Sequence, residues 1–283
     1  MDDIMVSIIC NTYNHERYIK DALDGFLNQK TNFPFEVLIH DDASTDRTQE
    51  IIKEYAEKYP EIIKPILQTQ NQYSLGKLPT YHYQLPRAQG KYIAFCEGDD
   101  FWIDPDKLQK QVDALEQYTN LDICAHAHKR MNAETGEIIK IIKKSDQIKL
   151  FSTADVIKGG GGFVATASIL YRKALADNMP PFRKMMMLDY TMQIQGALRG
   201  GMLYLPDVMS VYRVNSLNSV TKNLRENPKN KAKHYDRIFK MLIQLDKDTD
   251  RKYHGIIRKL LLKNRVSKIG ILLQALFKPK VSK

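Results

Sequence analysis

An α/β fold built on a mostly parallel sheet is the class this sequence predicts, and three observations predict it. Short apolar runs rich in strand-forming residues recur at 5–10, 35–39, 62–67, 92–96 and 122–127. Between them, segments 16–27, 47–59 and 106–118 carry apolar residues at helical spacing. The strands open into polar turns bearing Asn, Asp or Glu, at the edge where open α/β sheets bind ligands. Strand and helix alternating in this way place a parallel sheet between two helical layers.

Taken in order, the first strand ends in Asn11-Thr12-Tyr13-Asn14-His15, a polar turn opening onto the first helix. No Gly-x-Gly-x-x-Gly follows it and no Walker loop occurs anywhere, which argues against a dinucleotide enzyme or a P-loop NTPase. The second strand repeats the pattern with His40-Asp41-Asp42-Ala43-Ser44-Thr45-Asp46. Asp46 and Gln49 have the spacing of a capping box, and Asp41 and Asp42 lie nearer the strand end, where a carboxylate can accept from a base or ribose. A polar loop, 68–72, follows the third strand, and 75–88 is poorly patterned with helix expected late in it.

The stretch Lys91 to Trp102 organises the rest. A buried strand, 92–96, runs straight into Glu97, Gly98, Asp99 and Asp100. Three carboxylates on one tight turn repel one another, and a bound cation is the simplest remedy. Hard oxygen ligands suit Mg²⁺ or Mn²⁺. Capping of the next helix accounts for Asp104 with Pro105 but leaves those three acids unexplained. Trp102, the sole tryptophan, is expected in the core.

Beyond residue 128 the pattern changes. Runs at 137–142 and 148–151 are rich in strand formers, and four successive glycines, Gly159 to Gly162, cannot sit inside a helix or strand without a large entropic cost. They are open to two readings, a mobile or closely approached loop near a ligand and a plain surface turn. Asp189 stands at the start of a helix reaching about residue 198, where it can be an N-cap or a general base. Closing strands are expected at 203–205 and 208–212, and helices from 227 onward.

Composition sets the outer bounds. Apolar residues make up 43% and charged residues 27%, which supports one substantial core. No apolar run approaches the ~18 residues of a span, and no signal-peptide pattern opens the chain, so a cytosolic protein is expected. Cys10, Cys96 and Cys124 fall in apolar strands and read as reduced core thiols. The net charge is +10, and from Arg251 to the end ten lysines and arginines face no acid. In that tail Ile256, Ile257, Leu260, Leu261, Ile269, Leu272, Leu273 and Leu276 alternate with the basic residues. The pattern suits a cationic helix lying on an anionic membrane surface, or one packing its apolar side on the domain. Nucleic acid is a poorer match, because the basic residues cluster in one terminal segment and no RNA-binding or zinc motif occurs.

VSIICNTYNHERYI, VLIHDDASTDRT, EGDDFW with DPDKLQKQVDAL, LDYTMQIQGALRGG and VYRVN, in this order over residues 4–215, resemble the family 2 inverting glycosyltransferases of GT-A fold. The resemblance implies a GT-A domain at 1–215 with a basic helical region at 216–283. It implies a nucleotide-sugar donor, with UDP preferred, and a glycan acceptor that is often lipid-linked, placing such a protein in the cytoplasm or on the inner face of the membrane. Asn11, Thr12 and Asn14 would lie against the nucleotide, Asp42 against the uracil and Asn71 in the loop holding the base. Glu97 would face the ribose, with Gly98 in the same nucleotide-sugar-binding motif, and Asp99 the metal, with Asp100 a further ligand or support. Asp189 matches the catalytic base. Two departures stand out: Glu97 replaces the first Asp of D-x-D, and Asn215 replaces a common His. A partner that binds donor without turnover is the remaining alternative.

Overall fold

The computed structural model describes residues 3–216 and 227–277. Strands β1 (Val6–Thr12), β2 (Phe35–Asp41), β3 (Ile63–Leu67) and β4 (Tyr92–Phe95) pair in parallel in the order β3-β2-β1-β4. Helices α1 (Ile19–Leu27) and α2 (Thr48–Lys58) connect the first three. The parallel half is what the alternating pattern predicts.

The other half is largely antiparallel. After β5 (Phe101–Trp102) and α3 (Lys107–Gln117) come β6 (Ile123–Asn132), β7 (Ile138–Ile142) and β8 (Lys149–Phe151), then α4 (Thr153–Gly159) and β9 (Leu170–Arg172). Short helices α5 (Ala174–Asp177) and α6 (Pro181–Met185) lead to α7 (Asp189–Ala197) and the long β10 (Met202–Val214). The sheet continues from β4 through β9, β6 and β10 to β5, with β7 beside β6 and β8 beside β10. β9 runs antiparallel to both β4 and β6, so it joins the halves.

Side-chain alternation sorts the core into two layers. Val6, Ile8 and Cys10 face one with Tyr92, Ala94 and Cys96, while Ile9, Ile93 and Phe95 face the other. Fully burying one such aliphatic or aromatic side chain contributes about 1.5–3 kcal/mol. All three cysteines are free and buried. Trp102 is core: it is 3% exposed, its Nε1 donates to Ala167 O at 3.0 Å, and its ring meets Phe26 edge-on at 4.9 Å.

The two closing strands expected at 203–205 and 208–212 are one strand. Its register with β6 shifts between Leu205 and Val208 and again before Ser210. Pro206 lies there and has no N–H to give the ladder, so the break in pattern is a bulge, not a turn.

The C-terminal helices α8 (Pro228–Asp248) and α9 (His254–Phe277) pack on the second layer. Met241, Leu242, Leu245 and Ile257 are buried in the same cluster as Ile9 and Ile93. Asp248 accepts from the Phe182 N–H at 2.8 Å, tying α8 to α6. The tail's apolar residues divide: Ile256, Ile257, Leu260 and Leu261 pack on the domain, Ile269 is exposed, and the side chains of Leu272, Leu273 and Leu276 lie outside those described. Among the described residues no helix is long and apolar enough to cross a membrane.

Candidate active site

Two strand ends form the floor. Gly98 N–H donates to Asn11 O at 2.9 Å, continuing the β1–β4 pairing past the strand ends. A Cβ on Gly98 would stand 2.8 Å from Thr12 Cβ and Oγ1 and 3.1 Å from His15 Nδ1, so only glycine lets these turns meet. Thr12 Oγ1, Asn11 Oδ1 and His15 Nδ1 are buried there without a protein hydrogen-bond partner. Asn11 Nδ2 donates to Thr80 Oγ1 at 2.8 Å. Buried polar atoms of this kind are ordinarily satisfied, so the cradle is shaped for a polar guest.

Asn14, with φ of 55°, works differently. Its N–H donates to Ser44 Oγ at 2.8 Å and its Oδ1 accepts from Thr45 N–H at 2.8 Å, strapping the first polar turn to the second. Asp42 accepts from the N–H groups of Gln72 and Tyr73 at 2.7 and 3.0 Å, and Asn71 Nδ2 donates to Asp42 O at 3.1 Å. The two sequence-assigned base contacts therefore hold one another, with Asp42 shaping the loop that carries Asn71. The capping box of Asp46 and Gln49 is absent. Asp46 instead accepts from Thr48 N–H at 3.0 Å, while Gln49 Nε2 reaches Asp41 at 2.6 Å.

Glu97, Asp99 and Asp100 part company. Asp100 is 3% exposed and accepts from the Arg213 N–H at 2.8 Å, so burial, then the Asp99 charge, pushes its carboxyl well up. Through that bond it holds β10 beneath the site. Asp99 stays partly open, its Oδ2 accepting from Ser216 Oγ at 2.6 Å and its backbone O from Arg213 Nη1 at 3.0 Å. The Arg213 guanidinium also pairs with Asp21 and lies 4.4 Å from the Phe101 ring centre. Burial raises Glu97 to about 8, helped by the negative charges of Asp189 and Asp99 and opposed by hydrogen bonds with Asn11.

Asp189 completes the group. It is the first residue of α7 and not its N-cap, which is Leu188. Its Oδ2 accepts from the Thr166 hydroxyl, on the turn before β9. Desolvation raises its pKa against that hydrogen bond and a backbone one, and the residue keeps an exposed surface. The glycine run lies alongside: Gln193 Nε2 donates to Gly161 O at 3.1 Å and Tyr190 OH to Ile157 O at 2.6 Å, so Gly159 to Gly162 back onto α7.

Carboxyl groups are thus concentrated at one sheet edge. Among the described residues no three His, Cys, Asp or Glu side chains converge as a metal cage. The donors that fit a divalent cation are the open carboxylate of Asp99 with oxygens supplied by a bound ligand, as hard cations commonly take them. Sequence reasoning missed Thr166, Arg213, Ser216 and His15. Arg213 was legible in the VYRVN motif, whereas nothing local marks Thr166 or Ser216.

A parallel half joined to a mixed half, in which β6 and β10 run parallel and the other pairs antiparallel, brings a helix-start carboxylate to the same edge, the arrangement of the GT-A fold. The chain belongs to glycosyl transferase family 2, whose family model matches residues 7–179. An uncharacterised protein of Mycobacterium tuberculosis is 38% identical over 209 residues, 74% of this chain and 58% of that one, so the chain spans less than two thirds of that relative. Escherichia coli WfgD, named a UDP-Glc:alpha-D-GlcNAc-diphosphoundecaprenol beta-1,3-glucosyltransferase, is 33% identical over 115 residues, 41% of this chain and 42% of WfgD. Staphylococcus aureus TarS 1–349 in complex with UDP-GlcNAc superposes with a TM-score of 0.68 at 19% identity, covering 93% of this chain and 73% of that one. The mannosyltransferase PcManGT of Pyrobaculum calidifontis, in complex with GDP-Man and Mn²⁺, does so at 0.64 and 17%, covering 100% and 78%. At such identities both structures speak for the fold.

Proposed function

We propose that the protein transfers a sugar from a UDP-sugar to a hydroxyl of a lipid-linked glycan, with inversion, in the building of a surface polysaccharide. The observation that carries this is the meeting of Asp189 with the acid turn, close enough that its charge raises Glu97. WfgD's name supports the donor and the acceptor by similarity.

The donor would enter over Gly98. Asn11 and Thr12 offer unsatisfied polar atoms to it, Asn14 holds the two turns in place, and the Asp42–Asn71 loop borders the base. Glu97 faces the ribose in this reading. A Mn²⁺ or Mg²⁺ held by Asp99, when bound, would offset the negative charge that develops on the leaving diphosphate. PcManGT, which binds Mn²⁺ in its structure, supports that choice by its fold.

Asp189 takes the proton of the acceptor hydroxyl as its oxygen attacks the anomeric carbon. The bond to the diphosphate breaks on the opposite face and its electron pair leaves with the nucleotide. Thr166 keeps the carboxylate aimed and favours its ionised form, and the exposed surface of Asp189 admits the acceptor. General-base help of this kind is typically worth about 10²- to 10⁴-fold.

The test is release of nucleoside diphosphate from a panel of nucleotide sugars with Mn²⁺, Mg²⁺ or chelator. Metal-dependent release from one UDP-sugar is expected. Asp99→Ala should lose metal-dependent donor binding, whereas Asp189→Asn should keep it and lose turnover. Near-normal turnover in Asp189→Asn would remove the base from this scheme, and no calorimetric UDP binding would remove the donor.

A further inference from the structure

An open carboxylate serves a cation only if the backbone that carries it keeps its direction. The peptide between Asp99 and Asp100 is held at both ends: the Asp100 N–H donates to Glu97 O at 3.0 Å, and the Asp99 O accepts from Arg213 Nη1 at 3.0 Å. A peptide unit is planar, so holding its N–H and its oxygen fixes the plane and, with it, the angle at which the Asp99 side chain leaves the turn. Only the first of these bonds is made within the turn. The second comes from β10, 114 residues further along the chain.

Arg213 is itself held on several sides. Its N–H donates to the buried Asp100 carboxyl at 2.8 Å, its Nη2 pairs with Asp21 on α1, and its guanidinium lies 4.4 Å from the Phe101 ring centre and 5.2 Å from that of Tyr18. The side chain is 7% exposed, whereas that of Asp21 is half-exposed. A planar fork suits this place, since one arm reaches a carbonyl and the other a carboxylate while the delocalised charge lies over rings. Past β10 the chain turns at Asn215, whose φ is 65°, and Ser216 Oγ donates to Asp99 Oδ2 at 2.6 Å. The end of β10 and the residues after it therefore hold both the backbone and the carboxylate of Asp99.

We propose that Arg213 is a positioning residue for the cation site, setting the direction of the Asp99 carboxylate, and that Asp21 keeps the guanidinium in place from α1. The inference rests on the proposed function for the cation that Asp99 would hold. Charge and geometry here predict opposite signs. A guanidinium beside a divalent cation is repulsive, so on charge alone its removal strengthens metal binding; if it aims the carboxylate, its removal weakens it.

The experiment measures Mn²⁺ binding at saturating UDP, from the paramagnetic resonance signal of the free ion, and UDP binding in chelator by calorimetry. Neither needs turnover, so failure here is distinct from failure of transfer. Arg213→Lys keeps the charge and loses the fork, whereas Arg213→Met removes the charge. Each should weaken Mn²⁺ binding about tenfold, the worth of one charge-assisted hydrogen bond, with UDP affinity in chelator kept. Asp21→Asn, at a half-exposed position where folding is not at stake, should weaken it about threefold, which keeps the test decisive should an Arg213 variant fail to fold. Tighter Mn²⁺ binding in Arg213→Met, or unchanged binding in all three variants, would overturn the proposal. So would losses matched by equal losses of UDP affinity in chelator, or losses that only track the melting temperature. Wild type that binds no Mn²⁺ beside UDP would overturn the cation reading of Asp99 and this inference with it.

Discussion

Asp189 owes its chemistry to a hydroxyl that no local pattern pairs with it. Thr166 donates to its carboxylate and so lowers its pKa, while desolvation raises it. Removing the donor leaves only a backbone hydrogen bond to oppose desolvation. Thr166→Val is therefore expected to lower kcat up to about tenfold, the worth of one hydrogen bond, and to move the acid limb of the kcat–pH profile to higher pH, with donor affinity unchanged. A pH profile of transfer checks this, and an unmoved limb would mean that the hydroxyl only packs. The acid turn allows a second test. Asp100 hydrogen-bonds the Arg213 N–H from a buried position, and an amide oxygen can accept that bond without a buried charge. Asp100→Asn should keep metal-dependent donor binding and raise the melting temperature, whereas Asp99→Asn should lose the binding. Calorimetry with and without Mn²⁺ separates the two.

Elements here are held by close approaches that leave no spare volume. Helix α1 crosses β5 at Gly25, where a Cβ would lie 2.8 Å from Trp102 O. Gly25→Ala must push α1 off the β5–β10 pair, at a cost of about 1–3 kcal/mol, measurable by urea unfolding. Helix α3 poses a charge problem instead. Its first residue, Lys107, is fully buried, donating to Gln111 Oε1 at 2.7 Å and lying 3.8 Å from the Trp102 ring centre. Burial lowers its pKa to about 7. Between that value and its ordinary 10.5 the unfolded chain holds a proton that the folded one lacks. Stability from this group therefore rises with pH across that window, and below it the whole penalty applies. Lys107→Met should flatten the dependence from pH ~7 to ~10 and raise stability at neutral pH, the lost Gln111 contact offsetting about 1–3 kcal/mol of the gain. Denaturant midpoints along a pH series would show it.

At the scale of the whole molecule, α8 and the first turns of α9 contribute to the core. Met241, Leu242, Leu245 and Ile257 share a layer with Ile9, Ile93 and Phe95 of the central strands, and Asp248 fastens α6, which leads into the helix of Asp189. Deleting residues 216–283 should therefore leave an aggregation-prone chain with no cooperative melting transition, not an independent domain. A well-behaved, sharply melting 1–215 fragment would contradict this. Charge composition drew attention to this segment, but the face it presents inward was visible only after folding.

Much of the design was legible because it is local. The apolar run at 5–10 announced a strand, and the acids after Phe95 announced the ligand edge. β5 was hidden, since two residues carry no period and their partners, Ser210 and Val211, lie far along the chain. The strand expected as two pieces around Pro206 is one, because a bulge and a turn use the same residues. The strands of the parallel half, the helix spacing, the family motifs and the acidic turn were determined by the sequence itself, through patterns spanning a few residues, whereas the order of strands in the sheet was not. Which carboxylate is buried support and which stays open, that Thr166 and Ser216 attend Asp189 and Asp99, and which side of α9 is covered were decided only by the tertiary structure. These depend on contacts between residues distant in the chain, and burial, the quantity that sets their charge and reach, exists only once the layers have packed.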